Sequence, residues 1–248
     1  MIIMPEFNFK KIRGVFFDLY GTVLVFDDEE KASREWRKTY YDLAGRQNNL
    51  SQEEINIICD ELMQSNAVKD KDSGLTTYET KIKQSFEKRG VTFSGEQLGL
   101  LADETVGVWQ KYVSIAPDAV DVFTRLQKKV KLAMITNFDH SRHIRNVIKK
   151  YHLDSFLDPI IISDEAGCQK PDPKIFELAL QKTKLNAGEI IFVGDSSDDI
   201  NGALFSKIEP VIIKYFKSRN SIDIAVEIQK PIPIINSLSD LTNLLNYN

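Results

Sequence analysis

Four short stretches of this 248-residue chain set carboxylates, hydroxyls and one lysine just beyond apolar runs. Asp18 follows Gly14 to Phe17, and Thr136-Asn137 follows the run 130–135. Ser163-Asp164 follows 159–162, with Lys170 in the loop beyond, and Gly194-Asp195 follows 190–193, with Asp199 four residues on. Two or three carboxylates, a lysine and a hydroxyl gathered in one crevice would suit a hard divalent cation together with a phosphate. In that chemistry Asp18 attacks phosphorus, and water later hydrolyses the acyl phosphate. Asp195 would share Mg2+ with Asp18, the ion relieving the repulsion between the two carboxylates. Lys170 and the Thr136 hydroxyl would hold phosphate oxygens as charge develops on them. Asp199 would hold a metal-bound water or orient Lys170. Gly21 lets the backbone come close to a ligand, with the following amides as donors. Tyr20, Gly21, Thr22 and Asn137 complete the substrate-binding candidates. Singly, each of these residues reads as a turn, a helix cap or a solvated loop position. Function is argued by the ordered set, at four consecutive strand exits.

The elements that must position these residues can be read from the same runs. Each apolar run is too short for a helix and ends abruptly at polar residues or glycine, as a buried parallel strand does. Helical patterns separate them at 118–128, 141–150 and 173–182, the last opening with proline where a first turn tolerates it. Strands alternating with helices predict a three-layer α/β core around a parallel sheet. Ligands of such sheets bind at the carboxyl ends of the strands, where the candidate residues fall.

Residues 28–113 differ in kind. Ser51 with Glu54, Thr76 with Glu79 and Ser94 with Gln97 are capping boxes, while Gly45 and Gly90 stand where helix ends favour a left-handed residue. No buried strand is apparent. The expected organisation is a core of residues 1–27 and 114–248 with an inserted all-helical cap, 28–113, whose crossings near 26–28 and 113–117 act as hinges. Lys230-Pro-Ile-Pro-Ile reads as a late loop or edge strand.

Composition narrows the partners. With 32 Lys+Arg against 36 Asp+Glu, the net charge of −4 gives no whole-chain reason to expect nucleic acid or an anionic membrane. The two cysteines, Cys59 and Cys168, lie far apart in no zinc or disulfide spacing, which fits a reducing compartment. The opening MIIMPEFNFKK is too short for a secretory core, and no run approaches ~18 apolar residues. The reading is a cytoplasmic protein acting on a small molecule, with its oligomeric state open.

Taken together, the motifs resemble those of the haloacid dehalogenase-like hydrolase superfamily. Asp18-Leu-Tyr-Gly-Thr-Val-Leu is similar to its nucleophile motif, Ile135-Thr136-Asn137 to the second and Lys170-Pro-Asp-Pro to the third. Gly194-Asp-Ser-Ser-Asp-Asp-Ile-Asn-Gly-Ala203 is similar to the acidic fourth. The resemblance implies a Rossmann-like core with a type-1 helical cap, Asp18 as nucleophile, and Asp18, Asp195 and the Tyr20 carbonyl oxygen as magnesium ligands. One position departs from it. Phosphatases of the family usually carry a second Asp two residues after the nucleophile, as general acid and base, and here that place holds Tyr20. Tyr is typical there of the 2-haloacid dehalogenase branch, which needs no metal. Against that branch, Asp195 is intact where dehalogenases tend to carry a small hydroxyl residue. Phe176 likewise stands where they tend to carry tyrosine. Arg34, Arg37 and Arg46 are candidates for a halide-binding arginine.

The resemblance therefore favours a magnesium-dependent phosphatase. Dehalogenase is the alternative, and a non-catalytic metabolite-binding or phospho-accepting protein a third reading. Positioned general acid catalysis is typically worth ~10²- to 10⁴-fold, so a Tyr20 phosphatase should prefer leaving groups that need little protonation, unless a cap residue or Asp139 supplies the proton. Phe26, Arg34, Trp36, Arg37 and Tyr40 are the pocket-facing candidates of the cap. Aromatic residues on helices more often form the cap's own core, which is the simpler expectation for Trp36, Tyr40 and Trp109. His140 and His143 have no metal-ligand company and receive no role.

Overall fold

The computed structural model describes residues 11–65, 69, 72–215, 222–225 and 231–245. The first ten residues and Lys230 lie outside them. The four apolar runs become neighbouring strands: β1 (Gly14–Phe17), β4 (Lys131–Thr136), β5 (Ile160–Ile162) and β6 (Ile190–Gly194). With β7 (Glu209–Ile213) and β8 (Ile234–Ile235) they form a parallel sheet of order β5-β4-β1-β6-β7-β8. Gly14 is in register with Lys131 on one side and Ile190 on the other. The order reverses at β1, so the end of that strand opens on the crevice where such sheets bind ligands.

Both faces of the sheet are covered, which is why its strands read as unbroken apolar runs. Phe16, Ala133, Ile135 and Phe192 pack on Ile175, Phe176 and Ala179 of α8 (Pro173–Thr183). Phe17 meets Phe123 of α5 (Ala119–Leu126) edge to face at 5.1 Å. α8 starts where Asp172 accepts from the Lys174 amide and Pro173 fills the first turn. β7 had no apolar signature in the sequence, because Glu209-Pro210 opens it. Of the Pro-rich tail, Ile234–Ile235 forms the outer strand β8.

Internal contacts divide the chain into two compact units. The first comprises the described residues of Met1–Val25, Ile115–Asn137 and Ile148–Asn248, and the second is Phe26–Ser114 with Phe138–Val147. The chain passes between them at β2 (Leu24–Phe26) and β3 (Val113–Ile115), which pair as a separate two-stranded sheet, and again at either end of Phe138–Val147, which carries most of α6 (Ser141–Lys150). In the second unit α1 (Glu29–Tyr40), α2 (Gln52–Gln64), α3 (Thr77–Glu87) and α4 (Gly95–Gln110) enclose a core of Trp36, Tyr40, Ile55, Ile58, Ile82, Phe86, Leu98 and Leu101. All three capping boxes form, at Ser51, Thr76 and Ser94.

Gly90 takes the left-handed conformation expected of it, but Gly45 does not. After α1 the chain continues through a π turn and a 3-10 turn to Asn48, so the left-handed residue is Asn49. Gly45 instead lets α2 approach closely, since a β-carbon there would stand 2.9 Å from the Ile55 side chain. Among the described residues no helix is long and apolar enough to cross a membrane.

Candidate active site

Asp18 prolongs β1 by one ladder bond, its amide donating to Val193 O at 2.9 Å, and so its buried carboxylate is fixed at the strand's end. The chain then turns back on itself. Val23 and Leu24 amides donate to Leu19 O at 2.9 and 2.8 Å, and the Gly21 amide donates to Leu24 O at 2.7 Å. Gly21 has a φ of 89°, and a β-carbon on it would overlap the Asp195 carboxylate. Glycine is thus required twice here, by conformation and by the approach of the acid.

Lys170 is almost wholly buried, and its Nζ donates to Asp18 Oδ1 and to Asp199 Oδ1, both at 2.5 Å. Asp199 lies in the first turn of α9 (Ser197–Phe205), where Ser196 is the N-cap. Its other oxygen accepts from the Ser196 hydroxyl at 2.6 Å and from the Ser196 and Asp195 amides at 3.0 and 3.2 Å. Through Oδ1 Asp199 orients Lys170, and it also belongs to the acidic group formed with Asp18 and Asp195. Ser196 was not singled out in the sequence, although Ser196 and Asp199 have the spacing of a capping box.

Carboxylate oxygens of Asp18, Asp195 and Asp199 lie within 4.8 Å of one another. Burial, opposed by Lys170 and reinforced by Asp199 and Asp195, leaves the Asp18 carboxyl raised to about 8. Burial works against the charged form of Lys170, but Asp18 and Asp199 outweigh it and raise the ammonium above its ordinary value. With Asp18 ionised, three buried negative charges face one positive charge. A divalent cation would bring the group to neutrality, and oxygen donors of this kind suit Mg2+. The donor set therefore fits that ion.

Other expected residues take varied places. Thr136 is buried as the last residue of β4. Tyr20 is half-buried, and burial raises its hydroxyl well above the usual range. Thr22 is buried, as Thr136 and Lys170 are. Its carbonyl accepts from the Tyr215 hydroxyl at 2.7 Å, and its own hydroxyl has no partner among the described residues. Asn137 bonds the main chain of Lys170, donating to its carbonyl at 2.9 Å and accepting from its amide at 2.8 Å. Phe176 is fully buried against Phe192, with ring centroids 5.1 Å apart.

In the second unit, Trp36 and Tyr40 are core residues, both hydrogen-bonded to the Tyr78 hydroxyl. This settles them as packing rather than as pocket lining. Arg37 pairs with Asp60 at 2.6 Å and Arg46 with Asp42 at 2.9 Å. Asp139, considered as a proton source, is held by Lys81 at 2.6 Å. His140 is wholly buried between Thr76 Oγ1 at 3.0 Å and Asp103 Oδ1 at 2.8 Å, a structural tie.

An acid at the end of the first strand, at the switch of a parallel sheet, and a lysine held between acids define a class of hydrolase. The family model for haloacid dehalogenase-like hydrolases matches residues 12–204, and the chain belongs to that family. Its relatives divide between two chemistries. Human N-acylneuraminate-9-phosphatase is 27% identical over 82% of each chain. The (S)-2-haloacid dehalogenase 2 of Pseudomonas sp. (strain CBS-3) is 25% identical over 96% of this chain and 97% of its own. Among solved structures, a HAD phosphatase from Thermococcus onnurineus aligns with a TM-score of 0.69 at 21% identity, over 96% of this chain and 99% of its own. That likeness shows the fold; the choice of chemistry rests on the residues.

Proposed function

We propose that this hydrolase is a magnesium-dependent phosphatase of a small phosphorylated metabolite, working through an aspartyl-phosphate on Asp18. The observation that carries the reading is Asp195, a buried carboxylate set against Gly21 and within reach of Asp18, where a metal-independent dehalogenase needs no second acid. In the first step an Asp18 oxygen forms a bond to phosphorus as the ester oxygen leaves with its electron pair and takes up a proton from water. In the second, water attacks the acyl phosphate, releasing inorganic phosphate and restoring the Asp18 carboxylate. Lys170 and Thr136 hold the phosphoryl oxygens, and Asp199 keeps Lys170 aimed. Asp18, Asp195 and the Tyr20 carbonyl would hold Mg2+, which when bound supplies charge neutralisation for the phosphoryl group. A cytoplasmic setting accords with the two free thiols, Cys59 and Cys168.

Tyr20 supports a second reading, 2-haloacid dehalogenase, in which Asp18 would attack carbon and expel halide. Against it, the residue expected to be tyrosine is Phe176, sealed in the core without a polar group. The two readings separate in one assay: phosphate release from an aryl phosphate, with magnesium and with chelator, beside halide release from 2-chloropropionate. Magnesium-dependent phosphate release, lost in Asp18→Asn, is expected. Metal-independent halide release without phosphatase activity would replace the proposal with the second reading.

A further inference from the structure

Lys170 belongs to no strand. It lies in the loop between α7 (Ser163–Ala166) and α8, and its long side chain crosses to the end of β1 to meet Asp18. A lysine stem carries ~2 kcal/mol of rotamer entropy, so its head is well placed only if both ends are held. The head is held by Asp18 and Asp199. The root is held by one side chain: Asn137 takes the Lys170 carbonyl with Nδ2 at 2.9 Å and the Lys170 amide with Oδ1 at 2.8 Å. Asn137 directly follows Thr136, which is fixed by its pairing with Ile162 in the sheet. The lysine's main chain is thereby tied to the sheet edge from which Thr136 is presented.

We propose that Asn137 is a positioning residue for Lys170, a clamp on its main chain rather than a contact to substrate. The inference rests on the aspartyl-phosphate reading, and that reading also says why a clamp is needed. When Asp18 is phosphorylated it ceases to be the free carboxylate that anchors Nζ, so Lys170 exchanges one of its two ionic partners for the phosphoryl oxygens midway through the cycle. Asp199 and the Asn137 clamp then keep it in place for the second step. Few side chains can do this. The clamp needs a donor and an acceptor in one short planar group: aspartate lacks the donor, and glutamine is one methylene longer.

The test uses the full chain and the variants Asn137→Ala and Asn137→Asp, the latter keeping the acceptor and losing the donor. Outer partners of this kind are typically worth ~10- to 100-fold in activity, so kcat with an aryl phosphate is expected to fall by that factor in Asn137→Ala while KM changes little. A second readout needs no turnover. With 15N-lysine labelling, the Lys170 ammonium, identified by its loss in Lys170→Met, is expected to exchange protons faster in both Asn137 variants than in the wild type. Unchanged kcat and unchanged exchange in a folded Asn137→Ala would overturn the clamp. A change confined to KM would return Asn137 to the substrate. If Asn137→Ala does not fold, Asn137→Asp decides by the same two measures. If the wild type hydrolyses no phosphate ester, the aspartyl-phosphate reading fails, while ammonium exchange still reports on the clamp itself.

Discussion

At Gly21 two demands coincide, a φ of 89° and the close approach of the Asp195 carboxylate. Gly21→Ala should therefore cost about 1–3 kcal/mol of stability from backbone strain alone. Magnesium-dependent activity should fall more than that loss explains, because the β-carbon displaces the acid. Denaturant unfolding and a magnesium titration of turnover measure the two parts, and a fully active, equally stable variant would show that the turn has room to spare. Asp18, Lys170 and Asp195 were legible in the sequence because each stands at a fixed offset from a strand or a proline. Asn137 was legible as a position, but its bonds to Lys170 were not, because whether a carboxamide reaches the main chain 33 residues away depends on the path of a loop.

Among the helices, local chemistry decided most of what could be read. The capping boxes at Ser51, Thr76 and Ser94 formed because their two hydrogen bonds close within four residues and need no tertiary partner. The π turn after α1 carried no such signal, and Gly45 was misread as a stop because its reason lies in the contact with Ile55. α2 and the end of α3 are joined by Glu61 and Arg89, whose guanidinium spans both carboxylate oxygens at 2.9 and 3.2 Å. The Arg89 hydrogen bond holds the Glu61 carboxyl below its ordinary 4.5. A carboxyl lowered on folding contributes stability above its unfolded value and loses it as the pH falls through the folded one. Glu61 is about a third exposed, so screening keeps the contribution below ~1 kcal/mol. Glu61→Gln should lower stability by that small amount at neutral pH and match the wild type well below pH 4. Trp36 and Trp109, the chain's two tryptophans, both lie in the helical unit and report its unfolding by fluorescence. A difference that persists in acid would mean that the pair acts by packing instead.

At the scale of the whole chain, the reading of apolar runs recovered β1, β4, β5 and β6 and took β2 and β3 only for crossings. It failed beyond that. Glu209 and Pro210 disguise β7, and β8 is two residues long. Neither strand carries a motif residue, so the site could be read without them. The wider molecule is consistent with the proposed work: a parallel sheet whose switch point bears the acids, a separate helical unit and two unpaired cysteines. The proposed catalysis depends on the bond between Asp18 and phosphorus. The direct measurement is mass spectrometry of protein quenched in acid during turnover of an aryl phosphate with magnesium. The expected result is the mass of one phosphoryl group on the peptide containing Asp18, absent with chelator and in Asp18→Asn. Steady phosphate release that continues in Asp18→Asn, with no adduct on that peptide in the wild type, would contradict it.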